Sequence, residues 1–104
     1  MESVRSKNGV PIRLTEERWI HIVENHDDLA GYYDEVLMCI EDPDFVIKGY
    51  RNALIALRKK DEKKFLAVVY KKLSGSDGFI ITAFFAFFTS KIKLEKEEII
   101  WQRQ

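Results

Sequence analysis

What this chain lacks narrows it first. It holds one cysteine, Cys39, which excludes an internal disulfide framework and a cysteine-built zinc cluster and fits a reducing cytoplasm. Two prolines and five glycines in 104 residues leave no low-complexity segment, and no internal repeat is visible. The longest apolar run, Phe79–Phe88, is ten residues, half of the about 20 that a membrane-spanning helix needs. Met1–Gly9 has no apolar core segment, so no signal peptide is expected, and no basic amphipathic helix suggests a membrane surface. Net charge is absent too: 17 basic residues balance 17 acidic ones. What is present is apolar mass. With 46% hydrophobic residues, a chain of this length can bury a core as one domain, residues 1–104.

The zero sum hides a segregation. Residues 15–44 hold ten acids against one base, Arg18, whereas residues 45–72 hold nine bases against two acids. An acidic front half therefore precedes a basic middle. A basic surface of that kind attracts phosphate backbones; the plainer reading is lysines placed at hairpin tips for solubility.

The chain is organised around Phe65–Phe88. Lys64–Tyr70 and Phe79–Phe88 read as two apolar strands, joined by a Lys71–Gly78 loop with Gly, Ser and Asp turn chemistry. Strict alternation puts Ile81, Ala83, Phe85 and Phe87 on one face of the second strand and Ile80, Thr82, Phe84, Ala86 and Phe88 on the other. A strand apolar on both faces belongs in the middle of a sheet, covered on both sides. Upstream, Gly9–Leu14 reads as a short edge strand, because Pro11 lacks a ladder amide. Thr15 caps a helix over about Glu16–His26, with Trp19, Ile22, Val23 and His26 on one stripe. A second helix ends at Asp42-Pro43. Phe45–Lys48 and Ala53–Lys59 are strands around a Gly49–Asn52 turn, and Lys60–Lys63 is a tight hairpin. Thr89 to Glu98 is polar, and Glu97–Gln102 is either a last strand or a short helix. The expected fold class is α+β: two N-terminal helices packed on an antiparallel sheet of about four strands.

Few groups could carry chemistry. His21 and His26 are five apart, about 140° around a helix, so they cannot share a metal; no metal and no cofactor is expected. His26 ends the buried stripe, where an imidazole is held stiffly and can act as a general acid or base; the alternative is a structural ring bonded to a helix-end carbonyl or to Asp27 or Asp28. Thr82 is the one polar side chain in its strand, either bonded to backbone or presenting its hydroxyl to a phosphate. Lys48, Arg51 and Arg58 precede it as cations for a phosphorane, or as solvated charges. Tyr50 and Tyr70 either stack a base or fill core and rim, and Lys71 completes the set of candidate RNA contacts.

The run Ile12–His26, the Pro43-Asp44 helix stop, the Leu66–Tyr70 strand and Gly78–Phe84 resemble the phage-type branch of the barnase, EndoU, colicin and RelE-like nucleases. The resemblance covers about residues 10–101. It implies a small α+β domain, helices first, of the toxin and toxin–antitoxin kind, with His26 at the helix-end histidine and Thr82 at the strand threonine of the site. It also implies a basic residue from the middle strands, for which Arg51 and Arg58 are the nearest matches.

The expectation is a metal-independent ribonuclease that cleaves RNA by acid–base transesterification, in the cytoplasm. Catalysis would rest on His26, Arg51, Arg58 and Thr82, and RNA binding on Lys48, Tyr50, Tyr70 and Lys71. RNA and a cognate antitoxin protein are the partners this implies. The rival expectation is a non-catalytic interaction module, an inhibitor or a subunit, that docks through the acidic helical half or forms a homo-oligomer through the aromatic sheet face.

Overall fold

A computed structural model describes residues 2–87 and 97–104. The expectations for Phe88 and for the polar stretch through residue 96 lie outside the described residues. In chain order the elements are β1 (Glu2–Arg5), β2 (Pro11–Leu14), α1 (Glu16–Asn25), a 3-10 turn at Asp27–Leu29, α2 (Tyr33–Glu41), β3 (Phe45–Lys48), a 3-10 turn at Tyr50–Asn52, β4 (Leu54–Lys59), β5 (Lys64–Ser74), β6 (Asp77–Phe87) and β7 (Ile99–Gln102).

These elements correct the expected architecture. The sheet has seven strands in the order β1-β2-β6-β5-β4-β3-β7, not about four, and it is mixed: β2 lies parallel to β6. The helices are not N-terminal either, since two strands precede them. The physical reason is the long connection. Short loops force antiparallel neighbours, and β3 to β6 obey that rule. Between β2 and β3, however, the chain runs through both helices and re-enters the sheet four strands away. β1, Glu-Ser-Val-Arg, has a single apolar residue, Val4, yet all four of its residues pair with β2. Its return loop is closed by Ser6 and Val10 and by Gly9, whose φ of +81° suits a residue without a Cβ. The C-terminal segment resolves as a strand, β7, on the far side of β3.

Local chemistry fixes the helix ends. The Thr15 hydroxyl accepts the Arg18 amide at 3.1 Å, and Glu16 and Glu17 occupy the first turn of α1, where the helix dipole favours negative charge. α1 stops at Asn25 with His26 as its C-cap; α2 stops at Asp42 ahead of Pro43. One face of the sheet packs on the helices, burying Ile12, Leu14, Ile22, Val36, Ile40, Leu66 and Tyr70. The opposite face holds a second apolar cluster of Ile47, Leu57, Phe65 and Ala67, flanked by Phe45 and Phe84. The sheet curls far enough to bring its two ends together, because Lys7, in the loop after β1, sits 5.0 Å over the Trp101 ring of β7.

Cys39 lies inside the helix-covered core, fully buried, with its thiol donating to the Ala56 and Leu66 carbonyls at 3.4 and 3.5 Å. Burial pushes this thiol well above the ordinary range, only partly offset by Arg58, so it is inert while the core is closed. Gly78 is equally constrained: a Cβ there would lie 2.6 Å from Ile12 Cδ1 and 2.7 Å from the Lys71 carbonyl oxygen. Gly78→Ala should therefore cost about 1–3 kcal/mol, because the backbone oxygen cannot step aside. The measurement is thermal unfolding together with the labelling rate of Cys39 by a thiol reagent. Faster labelling and a lower Tm are expected; wild-type values for both would contradict the packing described.

Candidate functional site at the free margin of β6

β5 and β6 form the longest ladder, and one break in it decides which way the polar residues point. Val69 pairs with Thr82 and Tyr70 with Ile80, which leaves Ile81 as an extra residue on β6. Such a bulge re-aims the side chains beyond it. Ile80 accordingly shares the helix face with Ala83 and Phe85, while Phe84 and Ala86 sit against the opposite cluster. Thr82, two residues from Phe84, falls on that opposite face. The strict alternation expected for this strand is corrected by the bulge: Ile80 and Thr82 do not share a face.

The same strand has a free margin. β2 meets β6 at one pair only, Arg13 with Phe79, beside an ion pair between Arg13 and Asp77. From Ile81 onward no described strand flanks β6 on that side, and α1 runs along it instead. Arg18 donates from Nη1 to the Ile81 carbonyl at 3.4 Å, and the His26 ring lies 6.0 Å from the Phe84 ring, tilted by 36°. The spacings agree: Arg18 to His26 is about 12 Å of helix, and Ile81 to Phe84 is about 10 Å of strand. His26 is half-buried, and among the described residues no hydrogen bond engages its ring nitrogens. The Thr82 hydroxyl is likewise half-exposed without a described partner. Lys71 follows Val69 by two residues on β5, so it shares the Thr82 face, about 7–8 Å away on the diagonal.

Of the expected site residues, His26, Thr82 and Lys71 therefore lie on or beside β6. The others do not. Arg58 is on the helix face of β4 and donates to the Asp42 carbonyl at 2.8 Å, which closes the C-terminus of α2. Arg51, Tyr50 and Lys48 stand at the end of the sheet around the β3–β4 turn, all exposed. Tyr70 is 1% exposed inside the core, where burial pushes its hydroxyl up to about 12, so its ring cannot meet a base without opening the helix–sheet interface.

Arg18 is a cation at this margin that the expectation, drawn from the middle strands, did not include. The signal was present. Arg18 is the single base in an acidic stretch and stands eight residues before His26, hence two helical turns along the same face. An open depression of about 880 Å³ borders the other side of α1, lined by Thr15, Glu16, Glu17, Arg18, Ile20, His21 and Glu24 among the described residues. Three carboxylates against one guanidinium make that hollow a poor place for a phosphate, so the candidate site is the β6 margin. Among the described residues no three His, Cys, Asp or Glu side chains converge as metal ligands. No described helix is long and apolar enough to cross a membrane. No family model, no curated protein and no solved structure matches the chain.

Arg58 and Arg103 have a structural task instead. Arg103 Nη2 bonds Asp42 Oδ1 at 2.5 Å and its Nε bonds Asp44 at 2.9 Å, which ties the end of β7 to the α2–β3 junction. The Arg103 hydrogen bond holds the Asp42 carboxyl below the ordinary aspartate value of 3.8. A carboxyl lowered in the folded state stabilises above its unfolded value, and that contribution is lost as pH falls through the folded one. Arg103→Ala should therefore flatten the decline of Tm on acidification below about pH 4, measured by thermal unfolding against pH. An unchanged acid limb would remove the clamp from the account.

Proposed function

We propose that the chain is a small metal-independent endoribonuclease whose reactive groups are His26, Thr82 and Arg18, set along the bulged stretch of β6. The reading joins the nuclease-like sequence pattern to one observation: the imidazole that ends α1 and the hydroxyl beyond the bulge both serve the face of β6 that carries Phe84. In such a reaction the 2′-oxygen of a ribose loses its proton and attacks the adjacent phosphorus. The bond from phosphorus to the 5′-oxygen breaks, and that oxygen leaves with a proton. His26 handles one of these proton transfers and a water molecule the other. Thr82 donates to a non-bridging oxygen, and the Arg18 guanidinium and the Lys71 ammonium stabilise the phosphorane charge. Arg51 and Arg58, the cations favoured from the sequence, are left outside this set by their positions. The one thiol, buried and unpaired, fits an activity in the reducing cytoplasm.

A second reading has its own support. The outer faces of α1, of α2 and of the turn between them carry exposed carboxylates, Glu17, Glu24, Asp27, Asp28 and Glu41 among them, that pair with no described cation. That surface would dock a basic protein partner in a non-catalytic module.

Purified protein on tRNA and total RNA in EDTA separates the two. Cleavage is expected, with His26→Ala slower by about 10²–10⁴-fold and Thr82→Val by about tenfold, the loss of one hydrogen bond to the phosphate. Thermal unfolding of each variant controls for folding. Equal cleavage by wild type and His26→Ala would remove the histidine from the mechanism, and no cleavage with any RNA would favour the interaction module.

A further inference from the structure

Resting on the ribonuclease reading, we infer that the end of the sheet around Tyr50 is a stacking platform for single-stranded RNA, leading a strand onto the β6 site. Two independent observations carry it. Tyr50 is 81% exposed, the most exposed of the large hydrophobic side chains described, and the Arg51 guanidinium covers one side of its ring at 5.4 Å. Nothing in the core needs this tyrosine there. An exposed aromatic face beside a guanidinium accepts a nucleobase whatever its sequence.

The ring is presented by the β3–β4 turn. Arg51 and Asn52 both adopt positive φ, 54° and 66°. The Ala53 amide donates to the Tyr50 carbonyl across them, the arrangement of a tight hairpin turn whose twist suits two antiparallel strands, and it holds the Tyr50 ring out at the tip. Gly49 lets the chain into this turn: a Cβ there would press on Ile55 Cγ1 at 3.1 Å and on the Ala53 carbonyl at 3.2 Å.

Charge and position supply the second observation. Lys48, Arg51, Lys71 and Lys72 stand at this end of the sheet, and none pairs with a described carboxylate; Asp77, close to Lys72, is engaged by Arg13, and Glu98 meets Lys48 through backbone. Beside this end a row of paired, half-buried residues, Ile55, Val69 and Thr82, crosses three strands on one face to the reactive hydroxyl. That row is about 10 Å long, a span of a few nucleotides. A duplex cannot lay an unpaired base on Tyr50, so the platform selects single strands.

The test is binding of a fluorescein-labelled 12-nucleotide 2′-O-methyl oligouridine, which cannot be cleaved through its 2′-oxygen, to the full chain by fluorescence anisotropy. Tyr50→Ala is expected to weaken binding about tenfold, Tyr50→Phe by less than about twofold, and neither should change binding of a 12-base-pair RNA duplex. Lys72→Ala should lower the slope of log affinity against log salt by about 0.7. Tyr50 is solvent-exposed, so its variants keep the fold. Wild-type affinity in Tyr50→Ala, an equal loss for duplex and single strand, or no binding at about 50 mM salt would overturn the platform. Tyr50-dependent binding without cleavage of any RNA would end the ribonuclease reading and leave the platform standing. Cleavage with Tyr50-independent binding would do the reverse.

Discussion

One extra residue in the β5–β6 ladder sets the arrangement on which everything else depends. Without Ile81 out of register, Thr82 would share the helix face with Ile80 and be sealed with Leu66 and Tyr70. With it, the hydroxyl turns to the other face, and the freed Ile81 carbonyl takes a hydrogen bond from Arg18. The bulge thus performs two tasks: it aims a side chain and it anchors α1 along a strand margin that β2 leaves uncovered. Bulges are common at sheet edges and beside active sites for this reason.

The segregation of charge in the chain becomes a segregation in space. The acidic residues of α1, α2 and the turn between them face outward from the helical side, and Asp42 and Asp44 are drawn into the clamp with Arg103. The bases of β3 to β5 collect at the two ends of the sheet: Lys59 to Lys64 around one hairpin, and Lys48, Arg51, Lys71 and Lys72 at the other end. The molecule is neutral in sum and strongly polarised in layout. A polyanion would approach from the sheet ends and be repelled from the helical side, which orients any encounter. Neutral net charge therefore says little here about nucleic-acid binding.

The sequence made the hairpins and helices legible because their signals are local. Thr15 caps, Pro43 stops, and the Lys60–Lys63 turn is closed by the Asp61 carboxylate accepting the Lys63 and Lys64 amides. What stayed hidden depends on distant pairing. β1 has no apolar pattern of its own, and the parallel contact of β2 with β6 joins residues more than sixty positions apart. Residue spacing also fails at a bulge, since a count of two per face cannot foresee an inserted residue. Among the candidate residues, side-chain chemistry alone singles out His26 and Thr82, whereas where each cation stands needed coordinates. Arg58 is spent on a helix end, Arg51 stands at a turn, and Arg18, two helical turns before the histidine, reaches the bulge.

The central claim is that the His26 imidazole and the Thr82 hydroxyl act on one phosphate. A double-mutant cycle on the rate of RNA cleavage tests it most directly, using His26→Ala, Thr82→Val and the pair together. Groups that serve one transition state are strongly non-additive, so the double variant should be no slower than about the worse single one. If the two losses simply multiply, the residues work independently and the site drawn around the β6 bulge is wrong.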